Sequence, residues 1–206
     1  MDKFEIKSSC HTFSGELKVP ADKSIAHRAL LIASLNKEMT KITNLAFSED
    51  VRTISNDIQS TIKCLADIGV QFAEIKGNIF VRGRGIKDFI QSEGILDCGN
   101  SGTTARLIMG LLSGQRFESK LNGDNSLKNR PMERVIEPLS EMGANISSEN
   151  NQLPITISPG NLKGGNFDLN LGSAQVKSAI IFAALCADGE TKLSCLLYTS
   201  PSPRDS

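Results

Sequence analysis

Apolar and polar positions along the chain follow two rhythms, a helical period of about 3.6 residues and a strand period of about 2. Residues 24–36 are apolar at helical spacing, and 40–46 read as a strand. Residues 49–68 predict one long amphipathic helix, stopped by Gly69, a residue suited to the left-handed turn after a helix. Residues 70–75 and 78–82 predict a hairpin turned near Lys76-Gly77, and a glycine-rich link follows through Gly83 and Gly85.

The order then recurs. Residues 102–112 read as a helix, 116–121 as a strand, and 131–142 as a helix with Pro131 in its first turn and Gly143 at its stop. Residues 144–148 and 154–158 predict another strand pair. A third cycle begins with a strand over 167–171, a helix over 174–187 and a strand over 190–194. The repeat is visible residue by residue: Leu65-Ala66-Asp67-Ile68-Gly69-Val70 matches Leu139-Ser140-Glu141-Met142-Gly143-Ala144. Likewise 30–35 with Thr40-Lys41-Ile42 matches 180–185 with Thr191-Lys192-Leu193. A period of roughly 75 residues is too long for the common solenoids. The pattern predicts three copies of a mixed α/β unit, the third cut short.

Composition narrows the function. The 206 residues suffice for one large domain or two small ones. Lys+Arg and Asp+Glu number 23 each, so the formal net charge is zero. That balance argues against general nucleic-acid binding, which needs an excess of positive charge, but not against a small anion held by a few local cations. No apolar run approaches the roughly 18 residues of a membrane span, and Met1-Asp2-Lys3-Phe4-Glu5 does not resemble a signal peptide. A cytoplasmic protein without membrane contact is expected. Cysteines stand at 10, 64, 98, 186 and 195 with no CxxC, and His11 and His27 are the only histidines. Neither a disulfide framework nor a zinc site is expected, and the thiols read as buried small apolar groups.

The first helix of each copy begins alike, with a small residue followed four places later by a cation: Ser24/Arg28, Gly102/Arg106 and Ser173/Lys177. Residues four apart share a helix face, and a helix N-terminus presents unpaired N–H groups suited to phosphate or carboxylate. Three such ends could converge on one anionic site. Each fragment also has a plainer explanation. Asp22 or Ser24 can cap an ordinary helix beside a solvated Lys23, Asn100-Ser101-Gly102-Thr103-Thr104 can be a capping turn, and Glu49-Asp50 can cap the second helix. Lys128-Asn129-Arg130-Pro131 sets an arginine before a helix-starting proline, which favours an extended Arg130 able to grip an anion in two contacts. His27 reads as structural.

Four runs together carry a specific resemblance: 19–31 (Val19-Pro20-Ala21-Asp22-Lys23-Ser24-Ile25-Ala26-His27-Arg28 and on), 96–107 (with Gly99-Asn100-Ser101-Gly102-Thr103-Thr104), 123–132 (ending Asn129-Arg130-Pro131-Met132) and 172–179 (Gly172-Ser173-Ala174-Gln175-Val176-Lys177-Ser178-Ala179). Their order and separations resemble the 3-phosphoshikimate 1-carboxyvinyltransferase (EPSP synthase) family over nearly all of 1–194. The resemblance implies an α/β fold, the inside-out barrel of the enolpyruvyl transferases. Two domains of three βαβαββ units each then enclose an active-site cleft, and the full-length protein is monomeric. It implies transfer of the enolpyruvyl group from phosphoenolpyruvate to the 5-hydroxyl of shikimate 3-phosphate, with no cofactor and no metal. Carried over residue by residue, Lys23 contacts both substrates, and Ser24, Arg28 and Ser173 hold shikimate 3-phosphate. Gly102 and Arg130 bind phosphoenolpyruvate, and Gln175 lies between the two. Asp50, Asn100 and Arg106 support Lys23 and the site. At Ala174 some relatives carry a second serine, so one hydroxyl is absent.

The family's acid/base groups lie in its other domain, so this chain alone is expected to be inactive. Residues 1–18 resemble the segment that crosses into that domain, and 19–194 form the substrate-binding domain with its third unit incomplete. Residues 195–205 match a translation of a common transposon-based sequencing adapter, so 195–206 read as an artefact; a continuous gene encoding them in the source DNA contradicts this. Two alternatives remain. The sister enzyme acting on UDP-N-acetylglucosamine shares the fold but typically has Lys-Asn at the first motif. A free anion-binding module without chemistry is the other.

Overall fold

The computed structural model describes residues 22–45, 47–48, 51–169 and 172–195. Residues 1–18, Asp50 and 196–206 therefore lie outside the described residues, as do the ends of the strands read over 40–46 and 167–171.

The first unit runs α1 (Lys23–Ser34), β1 (Met39–Ile42), the short β2 (Phe47–Ser48) and β3 (Val51–Ile54), α2 (Asn56–Asp67), β4 (Gln71–Ile75) and β5 (Asn78–Arg82). The second runs β6 (Leu96–Asp97), α3 (Gly102–Leu112), β7 (Ser119–Asn122), the single turn α4 (Asn125–Lys128), α5 (Glu133–Glu141), β8 (Asn145–Ser148) and β9 (Ile155–Ser158). The third contains β10 (Asn166–Leu169), α6 (Ala174–Ala184) and β11 (Lys192–Cys195).

Strand pairing repeats with the sequence. The second sheet has the order β6-β7-β9-β8, with β6 and β7 parallel and the other pairs antiparallel. In the first unit β1-β5-β4 reproduces the antiparallel part, and in the third β10-β11 reproduces the parallel part. The hairpin β4–β5 turns through Lys76 and Gly77 at φ 50° and 73°, the two positive values that a tight twisted hairpin requires. Gly69 and Gly143, matched in the repeat, both end their helices at φ 97°.

Three features differ from the pattern reading. The long helix expected over 49–68 begins at Asn56, because Val51–Ile54, three of whose four residues are β-branched, pairs instead with Phe47–Ser48. Its cap position is Ser55 rather than Glu49-Asp50. Pro131 does not open α5, which starts at Glu133 after Met132, and Arg130 instead closes the turn after α4 by donating its N–H to Leu127 O. The very short β6 carries no alternation of its own; it is defined by pairing with β7.

Among the described helices α3 lies innermost. α3 is buried on almost every face from Gly102 to Leu112, and the outward sides of β1, β4 and β8 meet solvent. α3 and α6 approach so closely that a Cβ on Gly110 would stand 2.2 Å from Ala179 O. Cys64 and Cys98 are buried free thiols, and the hydrogen bond that the Cys98 thiol donates to Cys64, together with burial, pushes the Cys98 thiol well up.

Helix propensity alone favours alanine over glycine by about 1 kcal/mol. Gly110→Ala should nevertheless destabilise by about 2 kcal/mol or more, because backbone atoms must move apart. Gly94→Ala, with nothing within 4 Å, should stay within about 0.5 kcal/mol of the parent. Urea unfolding measures both, and a Gly110→Ala chain as stable as the parent contradicts this packing.

Candidate functional site

The N-terminal ends of α1, α3 and α6 meet at one pole, tied by side chains that cross between them. At α1, Lys23 Nζ pairs with Asp57 Oδ2 of α2 at 2.8 Å. The Asp57 carbonyl accepts the Thr104 hydroxyl of α3 at 3.3 Å. Beneath this pair runs a buried chain of polar contacts. His27 Nδ1 lies 2.7 Å from Thr61 Oγ1, Thr61 Oγ1 lies 2.7 Å from Thr104 Oγ1, and Thr104 Oγ1 lies 2.8 Å from Ser101 Oγ. His27 is 1% exposed. Burial, helped by Lys23 and Arg28 and opposed by Asp57, lowers its pKa from 6.5 to about 4, so the imidazole is neutral at pH 7.

Arg28 joins α1 to α6. Its Nε donates to Ser178 Oγ at 2.9 Å, Nη2 to Ala174 O at 3.0 Å, and Nη1 to Ser24 O at 2.9 Å. Gln175 joins α6 to α3: its Nε2 donates to Thr103 Oγ1 at 2.9 Å, and its Oε1 accepts from Arg106 Nη1 at 2.9 Å. Arg106 also donates to Pro131 O at 3.1 Å. On the other side of α3, Arg130 Nη2 donates to Asn100 Oδ1 at 2.6 Å, and Asn100 Nδ2 donates to Asp124 Oδ2 at 2.7 Å. Asp124 also caps α4 by accepting from Leu127 N, and these contacts hold its carboxyl below the usual range.

Gly102 sits where these groups converge. A Cβ there would lie 2.8 Å from Arg106 Nη1 and 3.4 Å from Arg130 Nη1. Two guanidinium groups thus border the first turn of α3, whose opening N–H groups have no acceptor within the helix. Burial, then repulsion from Arg130 and Arg134, lowers the Arg106 pKa. Such a corner is suited to an anion with several oxygens.

The expected residues are brought together, but not in three equal copies. Capping is done by Asp22, Ser101 and Ser173, whose side chains accept from Ile25, Thr104 and Val176 N–H at 2.9, 3.1 and 3.4 Å. Counted from these caps, Ser24 is the second helical residue, Gly102 the first and Ser173 the cap itself. The i, i+4 pairs therefore reach the pole at different heights, and at α1 a carboxylate already occupies the helix end. Ala174 contributes its carbonyl to Arg28. Lys177 stands one turn into α6. Asp50, expected to support Lys23, lies outside the described residues; Asp57 is the carboxylate that meets the ammonium. Thr103, Ser178 and Asp124 also belong to the site. All three stand in recognised runs without a role assigned to them, and Ser178 meets Arg28 across 150 positions, a contact that no local window contains.

The family model described as EPSP synthase (3-phosphoshikimate 1-carboxyvinyltransferase) matches residues 8–205. The chain belongs to the EPSP synthase family. It is 48% identical over 181 residues to the 3-phosphoshikimate 1-carboxyvinyltransferase of a Thermoanaerobacter species, covering 87% of this chain and 41% of that protein. It is 45% identical over 186 residues to the protein of that name from Thermodesulfovibrio yellowstonii, covering 89% and 42%. The solved EPSP synthase of Acinetobacter baumannii superimposes with a TM-score of 0.81 at 36% identity, over 91% of this chain and 41% of that one. The chain thus spans about two-fifths of the length of these relatives, and its α/β fold is that of the family.

The neutral His27 makes a pH prediction for this family member. Its folded pKa of about 4 lies below its unfolded value of 6.5, so the unfolded chain binds more protons between them. The contribution is complete above pH 6.5 and is lost as pH falls towards 4, by about 3 kcal/mol. Denaturant unfolding from pH 7 to 4 should show that excess loss in the parent relative to His27→Gln. Equal pH slopes contradict it.

Proposed function

We propose that the chain is the substrate-binding part of an enzyme that transfers the enolpyruvyl group of phosphoenolpyruvate to the 5-hydroxyl of shikimate 3-phosphate and releases phosphate. The observation that carries this reading is the corner over Gly102, where Arg106 and Arg130 face one open position beside the crossing contacts of Arg28 and Gln175. Both substrates are polyanions that repel one another. Cations fixed in advance offset that repulsion and cost no reorganisation when the hydroxyl approaches the enol carbon.

In this reading Ser24, Arg28 and Ser173 hold shikimate 3-phosphate, and Gly102 with Arg130 receives phosphoenolpyruvate. Lys23 reaches both, and Gln175 separates them. Asp50, Asn100 and Arg106 are supports, and Asp57 pairs with Lys23. No cofactor is required. Residues 19–194 form the substrate domain, 1–18 belong with the relatives' second domain, and 195–206 are adapter-derived. The acid/base groups lie in the portion of the relatives beyond this chain, so the chain alone does not turn over. The complete enzyme is a cytoplasmic monomer. Among the described residues no helix is long and apolar enough to cross a membrane.

Calorimetry of the purified chain should show binding of shikimate 3-phosphate and none of UDP-N-acetylglucosamine. Loss of charge-assisted hydrogen bonds in Arg28→Ala should weaken that binding by about 10- to 100-fold. Preference for the UDP-sugar favours the sister enzyme. Phosphate release by the chain alone, dependent on both substrates, contradicts the assignment of the acid/base groups.

A further inference from the structure

Asp124 and Arg130 stand at the two ends of one turn. Asp124 caps α4 by accepting from Leu127 N–H at 2.8 Å, and Arg130 closes it by donating its own N–H to Leu127 O at 3.0 Å. The turn is fixed against the loop that opens α3, backbone to backbone. Asp124 N–H donates to Gly99 O at 2.9 Å, and a Cβ on Gly123 would stand 2.7 Å from the same oxygen. Asn100, next along that loop, lies between the two charged side chains.

A side-chain amide has an acceptor arm and a donor arm, which a half turn of the group exchanges. Asn100 is exposed, so its partners rather than its packing choose between the two orientations. A guanidinium has donors alone, and an ionised carboxylate has acceptors alone. Asn100 Oδ1 accepts from Arg130 Nη2 at 2.6 Å, and Asn100 Nδ2 donates to Asp124 Oδ2 at 2.7 Å. Ser126 Oγ accepts from the same Nη2 at 3.3 Å, and the other nitrogen, Nη1, is the one beside Gly102. Asp124 keeps its acceptor character because Asn100, the N–H groups of Leu127 and Ser126 and the charge of Arg130 hold its carboxyl below the usual range.

We propose that Asp124 is a positioning residue for the corner over Gly102: it orients the Asn100 amide so that an acceptor meets Arg130 Nη2 and Nη1 is left for the ligand. The carboxylate acts through a neutral group, which directs Arg130 without cancelling its charge. The consequence for phosphoenolpyruvate rests on the function proposed above; the orientation of Asn100 does not.

Asp124→Asn tests this with the cap intact, since asparagine caps helices about as well as aspartate. The oxygen of the new amide stays with the α4 N–H groups, so its NH2 faces Asn100. Asn100 then turns its own oxygen to that NH2 and presents donors to Arg130. Nitrogen-15 NMR of the free chain reads the result, because the Nη1 and Nη2 signals of an arginine are separate while its guanidinium is held and merge when it turns freely. Separate Arg130 signals are expected in the parent and merged signals in Asp124→Asn, with the melting curve unchanged. Adding Asn100→Asp to Asp124→Asn exchanges the two side chains. The exchanged pair should restore separate signals, since its carboxylate accepts from both neighbours. Titration with phosphoenolpyruvate in the presence of shikimate 3-phosphate should show an affinity about three- to tenfold lower in Asp124→Asn. The exchanged pair should not recover it, because a carboxylate then sits directly on Arg130. Separate signals in Asp124→Asn, merged signals in the exchanged pair, or an unchanged affinity in Asp124→Asn overturns the proposal. The expected signals in a chain that binds neither substrate leave the orientation of Asn100 standing and remove the substrate reading.

Discussion

Two guanidinium groups, Arg106 and Arg130, are held within 3.4 Å of a single point above Gly102. Groups so close repel by about 1–3 kcal/mol, depending on how far solvent screens them. The surrounding contacts are arranged to sustain that repulsion with neutral acceptors. Arg106 is restrained by the Gln175 amide and the Pro131 carbonyl, and Arg130 by the Asn100 amide. The nearest carboxylate in this chain of contacts, Asp124, gives its hydrogen-bonding oxygen to Asn100 rather than to Arg130, whose charge it feels from beyond that amide. A carboxylate placed directly between the arginines would neutralise them, whereas this arrangement preserves their charge for a ligand.

Keeping charges in so exact a relation demands a stiff support, which the buried helices supply. α3 is enclosed on nearly all sides and lies against α6 at Gly110 with no room for a methyl group. Packing of this density allows little displacement of one helix along the other. The starts of α3 and α6 are therefore fixed relative to one another before any ligand arrives. The hydroxyl chain from His27 through Thr61 and Thr104 to Ser101 extends the same constraint to α1 and α2. Its members are buried yet satisfied, so it orders the pole without leaving unpaired polar groups.

Much of this was legible from residues alone. The matched glycines 69 and 143 mark equivalent helix ends, and both adopt the same φ. Lys23, Arg28, Gly102, Arg106, Arg130 and Gln175 were recognisable because they lie in short runs whose order is distinctive. Other features depend on contacts that no local window contains. Val51–Ile54 fits a helical period but is claimed by Phe47–Ser48, and β6 exists only through its pairing with β7. Asp57 lies 34 positions from Lys23, and Ser178 is opposite Arg28 only after α1 and α6 have packed. The equal spacing of the three small-residue and cation pairs was real in sequence but unequal in space, because the cap residue falls at a different place in each helix.

In the proposed function these arginines act together as a pre-formed anion site. Nitrogen-15 NMR of the arginine Nε–H groups, recorded while shikimate 3-phosphate and phosphoenolpyruvate are added together, tests it most directly. Arg28, Arg106 and Arg130 should respond along one saturable curve, while Arg82 at the end of β5 and Arg116 beyond the far end of α3 should not. Uniform small shifts at all arginines, or a response that excludes Arg28 and Arg130, would contradict it.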